Sequence, residues 1–489
     1  MSLQDRIFNN DWAAIHPFQK SCQSDPFFVD VANNLYKSIK KVKSLPNVEK
    51  GALRICAINA AAYLEDIISS PSLWNAFTAR YEDEYGKKLP FYDLDNDYIE
   101  GEVNIQDLMF IVWYTLQRNV KEGTVIDPAD PYILHIATTF YKLLLDYYEI
   151  APENEELNAY ISSMIDCTDI GVFQDFAYWI YTCSYLFSES VSKRDAQINA
   201  LLKPYAGILS IDEIQRLAYG YQKELIQTSP CGPLALYVNE WASLIAQQQD
   251  ARKAKRFENI QTRKKATYLI VSDTKTHLTL SSVNEEKIKI AKADLPSNME
   301  FRKGDSIETS LTLFDNRWFI TNSLIISDSE NFTKEVESYK EKKEGYADAF
   351  EKFKSVAGRK TLLCYPDFEA FFMDFPDFEK YRENLKASFG LSNVLVFASE
   401  DEGIMLAPGL ASYIKDPKND SYNKELTEKN GIKMLMCNYM CPDTLLRQIL
   451  GSKKTSDMAF QSSTGARGGK KTAQSHLEFI ARAIRGYRL

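Results

Sequence analysis

The chain reads as an α+β multidomain protein, with a large irregular helical N-terminal domain, a small antiparallel β-sheet or barrel insert, and a C-terminal α+β segment. Three observations predict this. From Asp25 to about Gln249 apolar residues recur at helical spacing, as in Phe27, Val31, Leu35 and Ile39. At Ala266 the period drops to two, through Tyr268 and Ile270, Leu278 and Leu280, Ile288 and Ile290, Ile307, Leu311 and Leu313, then Trp318 and Ile320. A length of 489 residues exceeds what one hydrophobic core serves and suits about three domains. The expected division is a helical domain over 1–250, a basic helical connector over 251–265, a small antiparallel β domain over 266–330 and a C-terminal α+β domain over 331–489.

Helix starts punctuate the first domain. Asp25-Pro26, Ser70-Pro71 and Asp130-Pro131 each set a capping side chain before a proline suited to the first turn, and Ser210 with Glu213 makes a capping box. Loops such as Tyr85 to Pro90 and Ile150 to Glu153 separate the helices, and no internal repeat is present. In the β domain, Asp315-Asn316 between two strand-like runs predicts a tight hairpin, and Lys303-Gly304-Asp305 a turn before the fourth strand. A charged helix from about Phe332 to Val356 leads into strand-like runs at Thr361 to Tyr365, Asn393 to Phe397 and Gly403 to Leu406. The Ser, Gly, Thr and Lys content of 452–473 predicts a mobile basic loop, followed by a closing helix from Gln474.

Apolar residues at 45% and charged residues at 26% are the balance of a globular chain. The best apolar run, Asp107 to Leu116, is too short to span a bilayer, which needs about 20 residues, so no membrane association is expected. Polar Asp5, Asn9, Asn10 and Asp11 occupy the place of a secretory leader's apolar core, and a cytoplasmic location is expected. The eight cysteines, Cys22, Cys56, Cys167, Cys183, Cys231, Cys364, Cys437 and Cys441, lack framework spacing and read as reduced core thiols.

The net charge of −9 argues against a whole-surface polyanion binder, yet its distribution is uneven. The stretch Arg252–Lys265 holds Arg252, Lys253, Lys255, Arg256, Arg263, Lys264 and Lys265 against Glu258, and Ser452–Leu489 is as basic, so the rest of the chain carries −21. Such segments either dock on the acidic body or face a partner. In the closing helix Leu477, Ile480, Ile484 and Tyr487 share one face while Arg482, Arg485 and Arg488 line another, beside Arg467, Lys470 and Lys471 in the loop. These arginines could hold nucleic-acid phosphate in bidentate hydrogen bonds; the plainer reading is complementation of the helix dipole.

Motifs for catalysis fail on inspection. Asp93, Asp95, Asp97, Glu100 and Glu102 gather the carboxylates that a hard cation requires, but Tyr98 stands where a calcium loop needs glycine and Asn104 where it needs a bidentate Glu. An acidic loop feeding a helix capped by Asn104 and Asp107 is favoured over metal. Thr464 to Thr472 resembles a phosphate loop but lacks its opening glycine and the hydroxyl after Lys470. Cys437 and Cys441 share a helical face without completing a zinc site. The histidines sit apart: His135 reads as a core residue and His16 as a turn residue near Trp12. Neither Gly-x-Ser-x-Gly nor Gly-x-Gly-x-x-Gly is present, and no cofactor is expected.

The segments Ala61 to Ser69, Leu73 to Phe77, Tyr85 to Tyr92 and Asn104 to Asp107 resemble a bacterial family, domain of unknown function 3843. The likeness is densest between Tyr63 and Tyr114. It implies a soluble bacterial protein and carries no site residues with it.

The leading expectation is therefore a non-catalytic interaction or scaffold protein with a protein partner. The alternative is a nucleic-acid-associated protein that uses 252–265 and 452–489, with Tyr268 or Trp318 stacking on bases. A third is a metal-dependent hydrolase built on Asp93 to Glu102.

Overall fold

The computed structural model describes residues 6–18, 21–43, 45, 47–69, 73–120, 125–189, 191–295, 300–321, 324–388, 392–427, 441, 446, 472 and 475–486. It divides into two compact units. One comprises 1–121, 128–333 and 482–488; the other comprises 122–127, 334–481 and 489.

The first unit opens with helices α1 (Asn9–Ala13), α2 (Asp25–Ile39), α3 (Ala52–Ile68), α4 (Leu73–Tyr85), α5 (Ile105–Arg118) and α6 (Pro131–Tyr148). It continues with α7 (Glu155–Asp166), α8 (Ile170–Thr182), α9 (Val191–Leu202), α10 (Ile211–Thr228), α11 (Val238–Gln249) and α12 (Ala251–Glu258). Helices α3 and α5 are buried along most of their length. Ala57, Ala60, Ala61 and Ala62 give α3 a small profile, and it packs against α2 and α5. Aromatic rings fill the remaining volume: Phe77 stacks on Phe110 with centroids 4.9 Å apart, and Trp74 lies against both. Each such ring stabilises the fold by roughly 1.5–3 kcal/mol through burial.

The expected helix starts hold with two changes of detail. Asp130 caps α6, its carboxylate accepting from the Tyr132 N–H at 2.7 Å, and Ser210 with Glu213 forms the capping box of α10. Asp25 lies inside α2 rather than capping it, and accepts from the Cys22 N–H behind it. Asn104 precedes α5 but its side chain turns away to the Ile99 backbone, bonding both its N–H and its carbonyl. Ser70-Pro71 lies outside the described residues.

After α12 the chain becomes a barrel of β1 (Gln261–Asp273), β2 (His277–Ser281), β3 (Lys287–Ala291), β4 (Ser306–Phe314) and β5 (Arg317–Ile320), with β6 (Ile325–Ser327) added beside β4. The basic stretch therefore changes from helix to strand before Arg263. The strands run β1–β2–β3–β5–β4 and close where β4 pairs with β1. One pairing departs from the expected antiparallel sheet, since β3 and β5 are parallel through Ile290 and Trp318. That pairing is what closes the ring. Tyr268, Ile270, Leu278, Leu280, Ile288, Ile290, Ile307 and Leu311 form its core. Asp315 and Asn316 both take positive φ, 48° and 60°, as a two-residue hairpin requires.

The second unit holds most of α13 (Ser329–Ala357), then β7 (Leu363–Asp367), α14 (Phe368–Asp374), α15 (Arg382–Ser388), β8 (Ser392–Ser399) and β9 (Gly403–Ala407). The sheet order is β7–β8–β9, antiparallel throughout. Phe368, Phe371, Phe372 and Phe375 fall at helical spacing and, with Tyr365, Val394 and Val396, make its core. Of the last described helix, α16 (Leu477–Arg485), residues 477–481 are counted in the second unit and 482–485 in the first.

Cysteines 22, 56, 231 and 441 are buried, whereas Cys167, Cys183 and Cys364 are only half-buried, contrary to the expectation for all eight. Cys437 lies outside the described residues. No helix among the described residues is long and apolar enough to cross a membrane.

Candidate binding surface

The two sides of the barrel differ. Behind β1 and β4 lies α10: Glu224 Oε2 accepts from the Ser310 hydroxyl at 2.9 Å and from the Lys265 N–H at 3.0 Å, and Gln227 Oε1 accepts from the Thr312 hydroxyl at 2.8 Å. These bonds satisfy hydroxyls that β4 buries and fasten the barrel to the helix. On the other side β2 and β3 turn His277, Thr279, Ser281, Lys287 and Lys289 away from the core. His277, Lys287 and Lys289 are exposed. The β1–β2 loop is tied by the Thr274 and His277 backbones and leaves Lys275 exposed at its tip.

Most of the connector's charge is spent on the protein itself. Lys253 pairs with Asp166, and Arg256 makes a two-pronged pair with Asp315 at 2.7 and 2.8 Å while also bonding the Ile165 and Cys167 carbonyls. Arg263 grips Glu286 at 2.7 and 2.5 Å with its guanidinium 4.9 Å from the Trp318 ring centroid, and Lys265 pairs with Glu308 at 2.8 Å. Arg252, Lys255 and Lys264 are exposed and have no acidic partner among the described residues. Tyr268 is 2% exposed, so it cannot stack on a base; Trp318 is half-buried beneath Arg263.

Of the closing basic residues, Arg482 is buried, paired with Glu84 and donating to the Tyr85 hydroxyl at 2.7 Å. Arg485 is half-buried in the same helix. Arg467, Lys470, Lys471 and Arg488 lie outside the described residues, as does the phosphate-loop-like stretch up to Lys471.

The five carboxylates of the acidic loop are exposed. Asp93 pairs with Lys87 at 3.2 Å and Glu100 with Lys88, while Asp95 accepts the Asp97 N–H. Among the described residues no three His, Cys, Asp or Glu side chains converge as metal ligands, so Asp93, Asp95, Asp97, Glu100 and Glu102 are not gathered in this structure.

Sequence reasoning missed a set of buried acids. Asp66 sits at the start of α4, accepting the Leu73 and Trp74 N–H groups at 2.7 Å each and the Tyr185 hydroxyl at 2.8 Å, which is the work of a helix cap done from another helix. His16, expected as a turn residue near Trp12, lies at a bend against that residue and is buried, with Nδ1 on the Trp12 carbonyl at 2.9 Å and Nε2 on Glu65 at 2.7 Å. Both ring nitrogens face acceptors, which calls for an imidazolium. Burial pulls its pKa down most strongly, but the Glu65 charge and hydrogen bond, with the Trp12 carbonyl, leave it raised. Asp107 accepts the Tyr63 hydroxyl at 2.7 Å, and burial pushes its carboxyl up to about 7 against the pull of Tyr63 and Asn104. Its Oδ1 has no hydrogen-bond partner of good geometry among the described residues, and Tyr98 and Trp74 add weaker pulls on the carboxyl in the same direction as Tyr63 and Asn104. The one signal was an acid pair, Glu65-Asp66, near the end of a largely apolar helix that otherwise carries only Arg54 and Asn59 as strongly polar residues. His135, expected in the core, is exposed on α6.

No curated protein and no solved structure matches the chain. A family model described as a protein of unknown function (DUF3843) matches residues 6–342 and 315–485, including the Tyr63–Tyr114 stretch where the likeness is densest. Those spans take in nearly all of the sequence, and the chain belongs to the DUF3843 family.

Proposed function

We propose that this is a non-catalytic binding protein of the bacterial cytoplasm, in which the helical body is a scaffold and the small barrel its binding module. The observation that supports this most is the asymmetry of the barrel: its β1–β4 side is bonded to α10, and its β2–β3 side is exposed, with lysines that have no ion-pair partner among the described residues. The buried acids are spent on helix starts and interhelical bonds. Cross-linking in cells with a lysine-reactive reagent, followed by mass spectrometry, tests it. Partner cross-links are expected at Lys275, Lys287 and Lys289 rather than at Lys253 and Lys265. Cross-links spread evenly over the surface, or a turnover activity lost in Asp95→Asn or Asp97→Asn, would sink the proposal.

A further inference from the structure

We infer that the open β2–β3 side of the barrel is a site for single-stranded nucleic acid, an assignment that rests on the barrel being the binding module. A closed five-stranded barrel with the order β1–β2–β3–β5–β4, and β3 parallel to β5, is the arrangement of oligonucleotide/oligosaccharide-binding barrels. These take their ligand across the β2–β3 face and the neighbouring β1–β2 and β4–β5 loops. Strand order alone does not fix a ligand, so the side chains must choose between the two.

They choose phosphate. Lys287 lies opposite Ser281 and Lys289 opposite Thr279, with Lys275 at the tip of the β1–β2 loop. Four basic residues elsewhere on the barrel have acidic partners, Arg263 with Glu286, Lys265 with Glu308, Lys292 with Asp273 and Arg317 with Asp294, whereas Lys264 on β1 and Lys303 before β4 are exposed like the row. Lys275, Lys287 and Lys289 have none among the described residues; of the acids close to them in sequence, Asp273 is paired with Lys292 and Glu286 with Arg263, which leaves Glu285 in the β2–β3 turn. A row of exposed lysines that make no ion pair among the described residues, on a chain of net charge −9, fits a polyanion better than a neutral sugar.

A stacking surface lies alongside. Ile290 is in register with Trp318 on β5, and continuing that register by one residue each way sets Lys289 beside Arg317 and Ala291 beside Phe319. Arg317 lies over the Phe319 ring at 5.2 Å, so a half-buried aromatic and the exposed His277 ring flank the lysine row. Rings beside a cationic track accept bases of any sequence from an unpaired strand, whereas a duplex keeps its bases inside.

The test is fluorescence anisotropy with the full chain and labelled oligodeoxythymidine, its duplex with oligodeoxyadenosine, and labelled polyglutamate, over a range of salt. Native protein is expected to bind the single strand, with a log–log salt slope of about −0.7 per phosphate contact. The Lys275→Glu/Lys287→Glu/Lys289→Glu protein should lose binding at least tenfold and flatten that slope by about 2. Phe319→Ala should weaken binding about fivefold or more, while Arg252→Ala/Lys255→Ala stays within twofold. Equal binding of duplex and single strand overturns the single-strand assignment. Binding of polyglutamate alone, lost in the triple variant, overturns nucleic acid but keeps the barrel as the module. A triple variant that binds the oligonucleotide like native protein, or no polyanion bound at all, overturns the site.

Discussion

Burial of Asp107 and His16 ties stability to pH, and the two act in the same direction. Folded Asp107 keeps a proton up to about pH 7 that the unfolded chain releases near 3.8. Its contribution is therefore whole below 3.8 and gone once pH has risen through 7, a difference of about 4 kcal/mol at about 1.4 kcal/mol per unit. Across this window the native protein should lose about that much stability relative to Asp107→Asn protein, which cannot titrate there, and urea titrations at several pH values measure it. A difference between the two that is independent of pH would contradict the burial argument. His16, raised from 6.5, contributes fully below that value and loses its contribution as pH rises through the folded value. Removing it in His16→Ala leaves Glu65 unpaired and should cost roughly 3–5 kcal/mol at pH 6, read in the same titrations. Neither residue was legible as buried: an acid near a helix start and a histidine before a proline both look like surface residues until the tertiary contacts of Glu65 and Tyr63 are known.

Elements were more legible than their partners. Alternation at Leu278 and Leu280 or at Ile288 and Ile290 marks strands and their inward faces correctly, and Asp315-Asn316 marks its hairpin, because both signals are local. Parallel and antiparallel strands share the same period, so the β3–β5 pairing that closes the barrel had no local signal. The open face depends on that closure, which is why its lysines passed unnoticed beside the louder charge run at 252–265. The turn offers a check at this scale. Asn316 holds φ 60°, so Asn316→Val should destabilise the barrel by about 1–2 kcal/mol and Asn316→Gly should not. Thermal melts of the two proteins decide it, and equal loss in both would mean the turn geometry is not what the change affects.

At the scale of the molecule, the two units have cores of their own, one around Phe371 and Val396 and one around Ile270 and Leu311 in the barrel that belongs to the helical unit. Calorimetry should resolve more than one transition; a single two-state endotherm would contradict separate cores. Arg482 binds Glu84 across 398 residues of sequence, so Arg482→Ala should lower the transition of the helical unit and leave the other in place. The uneven charge read from the sequence now has a spatial account at the connector, where four of its seven basic residues, Lys253, Arg256, Arg263 and Lys265, are bound to acids of the same unit.

The central claim is that the barrel binds through its β2–β3 side. Hydrogen exchange of the full chain, with and without saturating oligodeoxythymidine, tests it most directly. The account expects slowed exchange in peptides covering 274–291 and 317–320, with the β1–β4 side and α12 unchanged. Protection confined to α12 or to the closing segment, with 274–291 unaltered, would contradict it.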